Sequence, residues 1–216
     1  MTRELIVQIH AYAGVIILIT GILQMILKKG GKLHRIIGNV YFYAWLPLIV
    51  TGAYIGGYLI TIVGIFGFYF ALTGARIGHL KNKGIQLFDK IIFGVSFLLA
   101  LLMLYYAIRL FMIGQTSFAI IFAVFGGIFF ISTLQDIRKF ILKQDRSKIE
   151  YGQLDWYFEH LTRMIISFIA ATTAFASIQN LFGENTLNFL LPTVVGTIAI
   201  IFIRRSYIQK FKLEKK

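Results

Sequence analysis

The sequence predicts an all-α polytopic membrane helix bundle with seven transmembrane helices, and three observations carry that expectation. Hydrophobic residues fill 58% of the 216 positions, mean hydropathy is +0.78 and only 14% of residues are charged, a balance suited to lipid as solvent. Apolar runs long enough to cross a bilayer recur along the whole chain. Most of the basic residues sit in the short gaps between those runs or in the tail. One integral membrane domain over residues 1–216 accounts for all of it, with no linker and no low-complexity tail.

The runs are Leu5–Leu27, Ile36–Gly56, Tyr58–Ile77, Ile91–Met112, Phe118–Ile137, Phe158–Leu181 and Leu187–Ile203. The second and third are nearly continuous. Together they would be about twice as long as the hydrocarbon core is thick, so they are divided at Gly56-Gly57. Pro47 and Pro192 predict bends in the second and seventh helices. The first run is too long for a signal peptide, ends in no small-residue cleavage pattern and is followed by lysines instead of preceded by them.

Charge then orients the bundle. Lys28, Lys29, Lys32 and Arg35 share a side with Arg76, Lys81, Lys83 and Lys90. The same side holds Arg138, Lys139, Lys143, Arg146 and Lys148, and the tail residues Arg204, Arg205, Lys210, Lys212, Lys215 and Lys216. Only Arg3 and Arg109 fall near the opposite face, so the amino terminus is expected outside and the carboxyl terminus in the cytosol of a cytoplasmic (inner) membrane. The partner is the lipid bilayer. The formal charge of +13 does not indicate nucleic acid, because the cations follow membrane topology, and the short outer connections leave no soluble extracellular partner domain. Between Lys139 and Tyr157 the charges read as a solvated face on a short helix or loop.

Chemistry has few residues to work with. Cysteine is absent, which removes disulfides, thiolate ligands, iron–sulfur clusters and covalently attached haem. HExxH, GxSxG, phosphate loops and paired aspartate-rich motifs are all missing. On the first helix, His10, Gly14, Ile17, Gly21, Gln24 and Lys28 fall within about 40° of one line, a small and polar face that should look into protein or a bound group. The third helix has a stripe of Gly64, Gly67, Ala71, Gly74 and Gly78, read as a surface for close helix packing. The sixth shows an inward face of His160, Arg163, Met164, Ser167, Ala171, Ala174 and Ile178, with Glu159 four residues before Arg163 as its ion-pair partner.

The four histidines dominate the site reading. His10 lies near the outer level, while His34, His79 and His160 share the cytosolic edge. Imidazole can ligate haem iron or a divalent metal, and it can relay protons. A two-haem protein would need a partner for His10 at its own depth, and the sequence has none. One b-type haem or one divalent metal at the inner level, held by His34, His160 and His79, stays open, with Glu159 or Asp155 nearby. For His79, beside Lys81, the alternative is a plain interfacial anchor. His10, Gln24, Arg35 and Arg163 are assigned to other polar pockets.

His10-x-x-x-Gly14, Thr20-Gly21-x-x-Gln24 and Lys32-x-His34-Arg35-x-x-Gly38-x-x-Tyr41 together resemble an uncharacterised family of bacterial multi-pass membrane proteins. That family carries a His, Gly-x-x-Gln, His-Arg-x-x-Gly pattern across its first two helices. The resemblance covers about a fifth of the chain. It implies a membrane location and a role for His10, Gln24, His34 and Arg35, and it brings no activity with it. The expected function is therefore a histidine-ligated haem or metal site near the cytosolic face serving electron transfer. A small-solute transporter or sensor using His10, Gln24 and Arg163, and a non-catalytic membrane scaffold, remain as alternatives; whether the chain is an enzyme is left undecided.

Overall fold

Hydrocarbon offers the backbone no water, so each apolar run must close its own ladder of N–H to C=O bonds, and a helix is how a single span does so. The computed structural model describes residues 2–142 and 152–211, apart from the side chains of 58–60. The runs become α1 (Arg3–Ile26), α2 (Lys32–Ile55), α3 (Gly57–Leu80), α4 (Leu87–Met112), α5 (Thr116–Asp136), α6 (Asp155–Ile178) and α7 (Asn185–Lys210). All seven are long and apolar enough to cross a membrane. Lys143, Asp145, Arg146, Lys148, Glu150, Lys212, Lys215 and Lys216 lie outside the described residues.

The helices outrun their apolar stretches. α2 begins at Lys32 and α7 continues to Lys210, about one to two turns past the residues that hydropathy marks. Lysine and arginine are good helix formers, so charge ends the lipid-facing part of a span without ending the helix. The division between α2 and α3 falls at Gly56-Gly57, where Gly57 has φ +70°, a left-handed conformation that costs glycine nothing. Both α2 and α7 run through their prolines as single helices.

Two central helices organise the bundle. Within the most apolar stretch of each helix, 50% of α3 and 44% of α6 is buried, against 22% for α2 and for α7. α3 and α6 pack on each other, the hairpins α1–α2 and α4–α5 flank them, and α7 closes against α6 and α5. The connections 27–31 and 81–86, the start of α6 and the end of α7 share one end of the bundle, which we call the basic end. Asn82 donates to the Gln153 carbonyl, Lys81 lies over the Trp156 ring, and Arg204 donates to Thr162 there.

The α3–α4–α5 side is built of aromatic rings meeting edge to face. Phe66 stands 5.2 Å from Phe125 and 5.7 Å from Phe129, both nearly perpendicular, geometries that add about 0.5–1.5 kcal/mol each beyond their burial. The α1–α2–α6 side is centred on Ile17, Tyr41, Trp45, Ala71 and Ala171.

The glycines of α3 are where side chains of α2 and α6 enter. A methyl group on Gly67 would lie 2.7 Å from the Trp45 ring and 2.9 Å from Ala170. On Gly78 it would lie 2.6 Å from Nδ1 of His160, and on Gly74 3.0 Å from Arg163 and Met164. The small stripe is thus a packing surface, and it also seats two of the polar side chains discussed below.

The inward face of α6 departs from the expected line beyond Ala171. Thr173 and Ala176 are buried, whereas Ala174 is exposed and Ile178 is 68% exposed. A helix drifts by about 20° per heptad against a fixed stripe, and α6 meets different neighbours along its length.

Gly67→Ala should lower stability by about 1–3 kcal/mol, because the added carbon has rigid neighbours. Gly94→Ala on α4, where nothing lies within 4 Å, should leave the melting temperature unchanged or higher. Thermal unfolding in detergent compares them, and equal loss in both would show that the α3 stripe is not close-packed.

Candidate functional site

The positions of His34 and His160 at the basic end are related through one hydrogen bond. α2 and α6 both start at the basic end and run parallel, and Tyr41 of α2 meets Ser167 of α6 at 2.8 Å. Ser167 donates its own proton to the Met164 carbonyl, so the Tyr41 hydroxyl is the donor. Seven residues nearer the basic end on each helix stand His34 and His160. Seven residues is about 20° short of two turns and about 10.5 Å, so each histidine lies on the same side of its helix as the Tyr41 or Ser167 that makes this bond. His160 lies close enough to act on His34 electrostatically, and Lys29 acts on both.

Their ring nitrogens are in different circumstances. Nδ1 of His160 donates to the Gly74 carbonyl at 2.8 Å, a bond that requires the proton on Nδ1 and leaves the lone pair on Nε2. Gly78, with no side chain, lets the ring lie this close to α3. Nδ1 of His34 is buried with no hydrogen-bond partner among the described residues. Among the described residues, Nε2 of neither ring makes a hydrogen bond.

The loop before His34 is held by the motif residues of α1 and α2. Gln24 donates to the His34 carbonyl at 2.7 Å, and its amide lies over Gly38, 3.5 Å from where a methyl would sit. Lys29 folds back to the Gln24 and Met25 carbonyls, closing the end of α1. Burial holds its ammonium below the usual lysine range. Arg35 donates from Nε to the Gly30 carbonyl at 3.1 Å. Gln24 and Arg35 therefore shape the turn that presents His34.

His10 is separate, near the other end. Its Nδ1 lies 3.0 Å from Thr51 Oγ1 and 3.2 Å from the Leu48 carbonyl of α2. The ring rests on Gly52, whose missing methyl would be 3.1 Å away.

The most heavily bonded polar group in the bundle is Arg163. Its two terminal nitrogens grip both oxygens of Asp136 on α5, and Tyr69 of α3 donates to the same carboxylate. Arg163 also donates to Thr73 at 3.0 Å and to Glu159 at 3.3 Å. Lys139 extends the network, reaching Glu159 at 2.9 Å and Asp155 at 2.5 Å. Arg163 and Asp136 are 6% and 2% exposed, so the network locks α3, α5 and α6 together from inside. The expected Glu159–Arg163 pair is present, but the principal partner is Asp136, which sequence reasoning missed. Its signal was an unpaired acid inside an apolar run. The charges at the described ends of the Lys139–Tyr157 segment are likewise ion-paired and not a solvated face.

His79 does not join His34 and His160: it is exposed at the end of α3. Among the described residues no three of His, Asp and Glu converge as a metal site, so His34, His79 and His160 are not one ligand set. The ligands would come from three elements, and their helix rotations bring only two together.

Fold and composition define a multi-pass integral membrane protein. No protein-family model, curated protein or solved structure matches the chain.

Asp136→Asn should cost roughly 3–5 kcal/mol, since it leaves the Arg163 charge buried with half its grip. Replacing both partners, Asp136→Leu with Arg163→Met, should be less harmful than the single change, because no uncompensated charge remains. Melting curves in detergent decide this; equal loss in both would mean that hydrophobic fit and not charge pairing is what matters there.

Proposed function

We propose that this membrane protein holds an electron-transfer cofactor between His34 and His160 at the basic end of the bundle. The observation that supports it is the parallel α2–α6 register with its two Nε2 atoms uncommitted, one of them presented by a Gly74 carbonyl that fixes the tautomer. A carbonyl behind a ligating histidine orients the ring and raises its basicity. A b-type haem suits the pair better than a divalent metal. Two neutral nitrogens with Lys29 close by are a poor cage for a bare dication, whereas haem brings its own ring nitrogens and carboxylates that a lysine attracts.

The solute-transport alternative loses support on the same geometry. Gln24 and Arg163 are committed to protein partners, and His10 stands near the other end of the bundle from both, so the three do not form one pocket. We assign the basic end to the cytosol of an inner membrane, from its loop charges. We also propose that the His, Gly-x-x-Gln, His-Arg-x-x-Gly pattern serves in the resembled family as it does here, shaping the turn that carries His34.

Protein purified after expression with haem and metals supplied should show a Soret band that sharpens on reduction. His34→Ala and His160→Ala should each remove it, while His79→Ala and His10→Ala leave most of it. A colourless, metal-free protein would overturn the proposal, and a stoichiometric metal without the band would transfer it to a metal site. For orientation, a reporter active only outside the cytosol should be silent when fused after Lys216, and activity there would reverse the assignment.

A further inference from the structure

We infer that His10 is a hydrogen-bond acceptor site for a lipid-phase hydroxyl donor of the hydroquinone type. Two partners face its Nδ1, and neither supplies a proton. The Leu48 carbonyl can only accept. The Thr51 hydroxyl sends its own proton to the Pro47 carbonyl at 2.5 Å and meets Nδ1 with a lone pair. The neutral ring therefore carries its proton on Nδ1 and a lone pair on Nε2, which has no hydrogen-bond partner among the described residues.

Depth selects the ligand. His10 stands seven residues into α1, about 10 Å along the axis, and the helix of 24 residues exceeds a hydrocarbon core of about 30 Å by only a few ångströms at each end. With α1 centred in that core, Nε2 lies below the headgroups, where an unpaired acceptor costs free energy and where water and lipid glycerol hydroxyls are scarce. The donor has to dissolve in hydrocarbon and present an O–H. A hydroquinone does so, and its oxidised quinone, which has only acceptor oxygens, does not. Choosing a hydroquinone among lipid-soluble alcohols rests on the electron-transfer reading above, since such a protein needs a reductant from the bilayer. The acceptor character of His10 does not depend on it.

The test uses the full chain in lipid nanodiscs under anaerobic conditions, with 15N-labelled histidine and three probes: decylubiquinol, decylubiquinone and 1-decanol. Decylubiquinol should bind and shift the His10 Nε2 resonance, and His10→Phe should weaken it at least tenfold, the loss of one hydrogen bond of about 1.4 kcal/mol. Decylubiquinone and decanol should bind no better to the native chain than decylubiquinol does to His10→Phe. Equal binding of quinol and quinone by the native chain, a comparison that needs no variant, would overturn the inference, as would full binding by His10→Phe. Decanol matching decylubiquinol would overturn the hydroquinone assignment. Soret absorbance and metal content of the same sample report separately on the His34–His160 site.

Discussion

The pairing of Arg163 with Asp136 is the constraint on which the other arrangements rest. A guanidinium two turns inside a membrane helix is tolerated only when its charge and its donors are answered from within the protein. Asp136, Thr73 and Glu159 answer it from three helices, with Tyr69 donating to Asp136, and in doing so they fix the rotation of α6 about its own axis. That rotation carries His160 to the Gly74 carbonyl and Ser167 to Tyr41. The charged lock and the histidine pair are therefore two readings of one helix setting.

Small residues make the setting attainable. In lipid, helices gain little from the hydrophobic effect on meeting each other, and close contact must supply the attraction. Gly67, Gly74 and Gly78 remove the side chains that would otherwise hold α3 away from α2 and α6. Gly21 does the same for α1, receiving the Phe168 ring where a methyl would overlap it. Polar groups then find partners because backbones are near enough for carbonyls such as those of Gly74 and Leu48 to act as acceptors.

Much of this was legible in the residues. Hydropathy located all seven helices, and the Gly56-Gly57 break was placed where the chain turns. The α3 stripe and the Glu159–Arg163 pair could be read from helical spacing, because partners on one helix have a known separation. Contacts between helices carry no such spacing. Asp136 could not be tied to Arg163, nor His160 to Gly74, without the relative rotations of α3, α5 and α6. The same gap explains His79: three histidines at one depth looked like one group, but depth is fixed by position in the run, whereas direction is fixed by packing. In the sequence Tyr41 is only the last residue of a pattern, and its role in setting the α2–α6 register needs Ser167 in place.

The turn at Gly56-Gly57 has a consequence for how the protein is made. With no loop between α2 and α3, the two helix ends are held within a residue of each other, and no polar segment exists that could be left in water while one span waits for the other. Neither span can then be set in lipid far from the other, and the Trp45–Gly67 contact joins two helices that the chain already holds side by side.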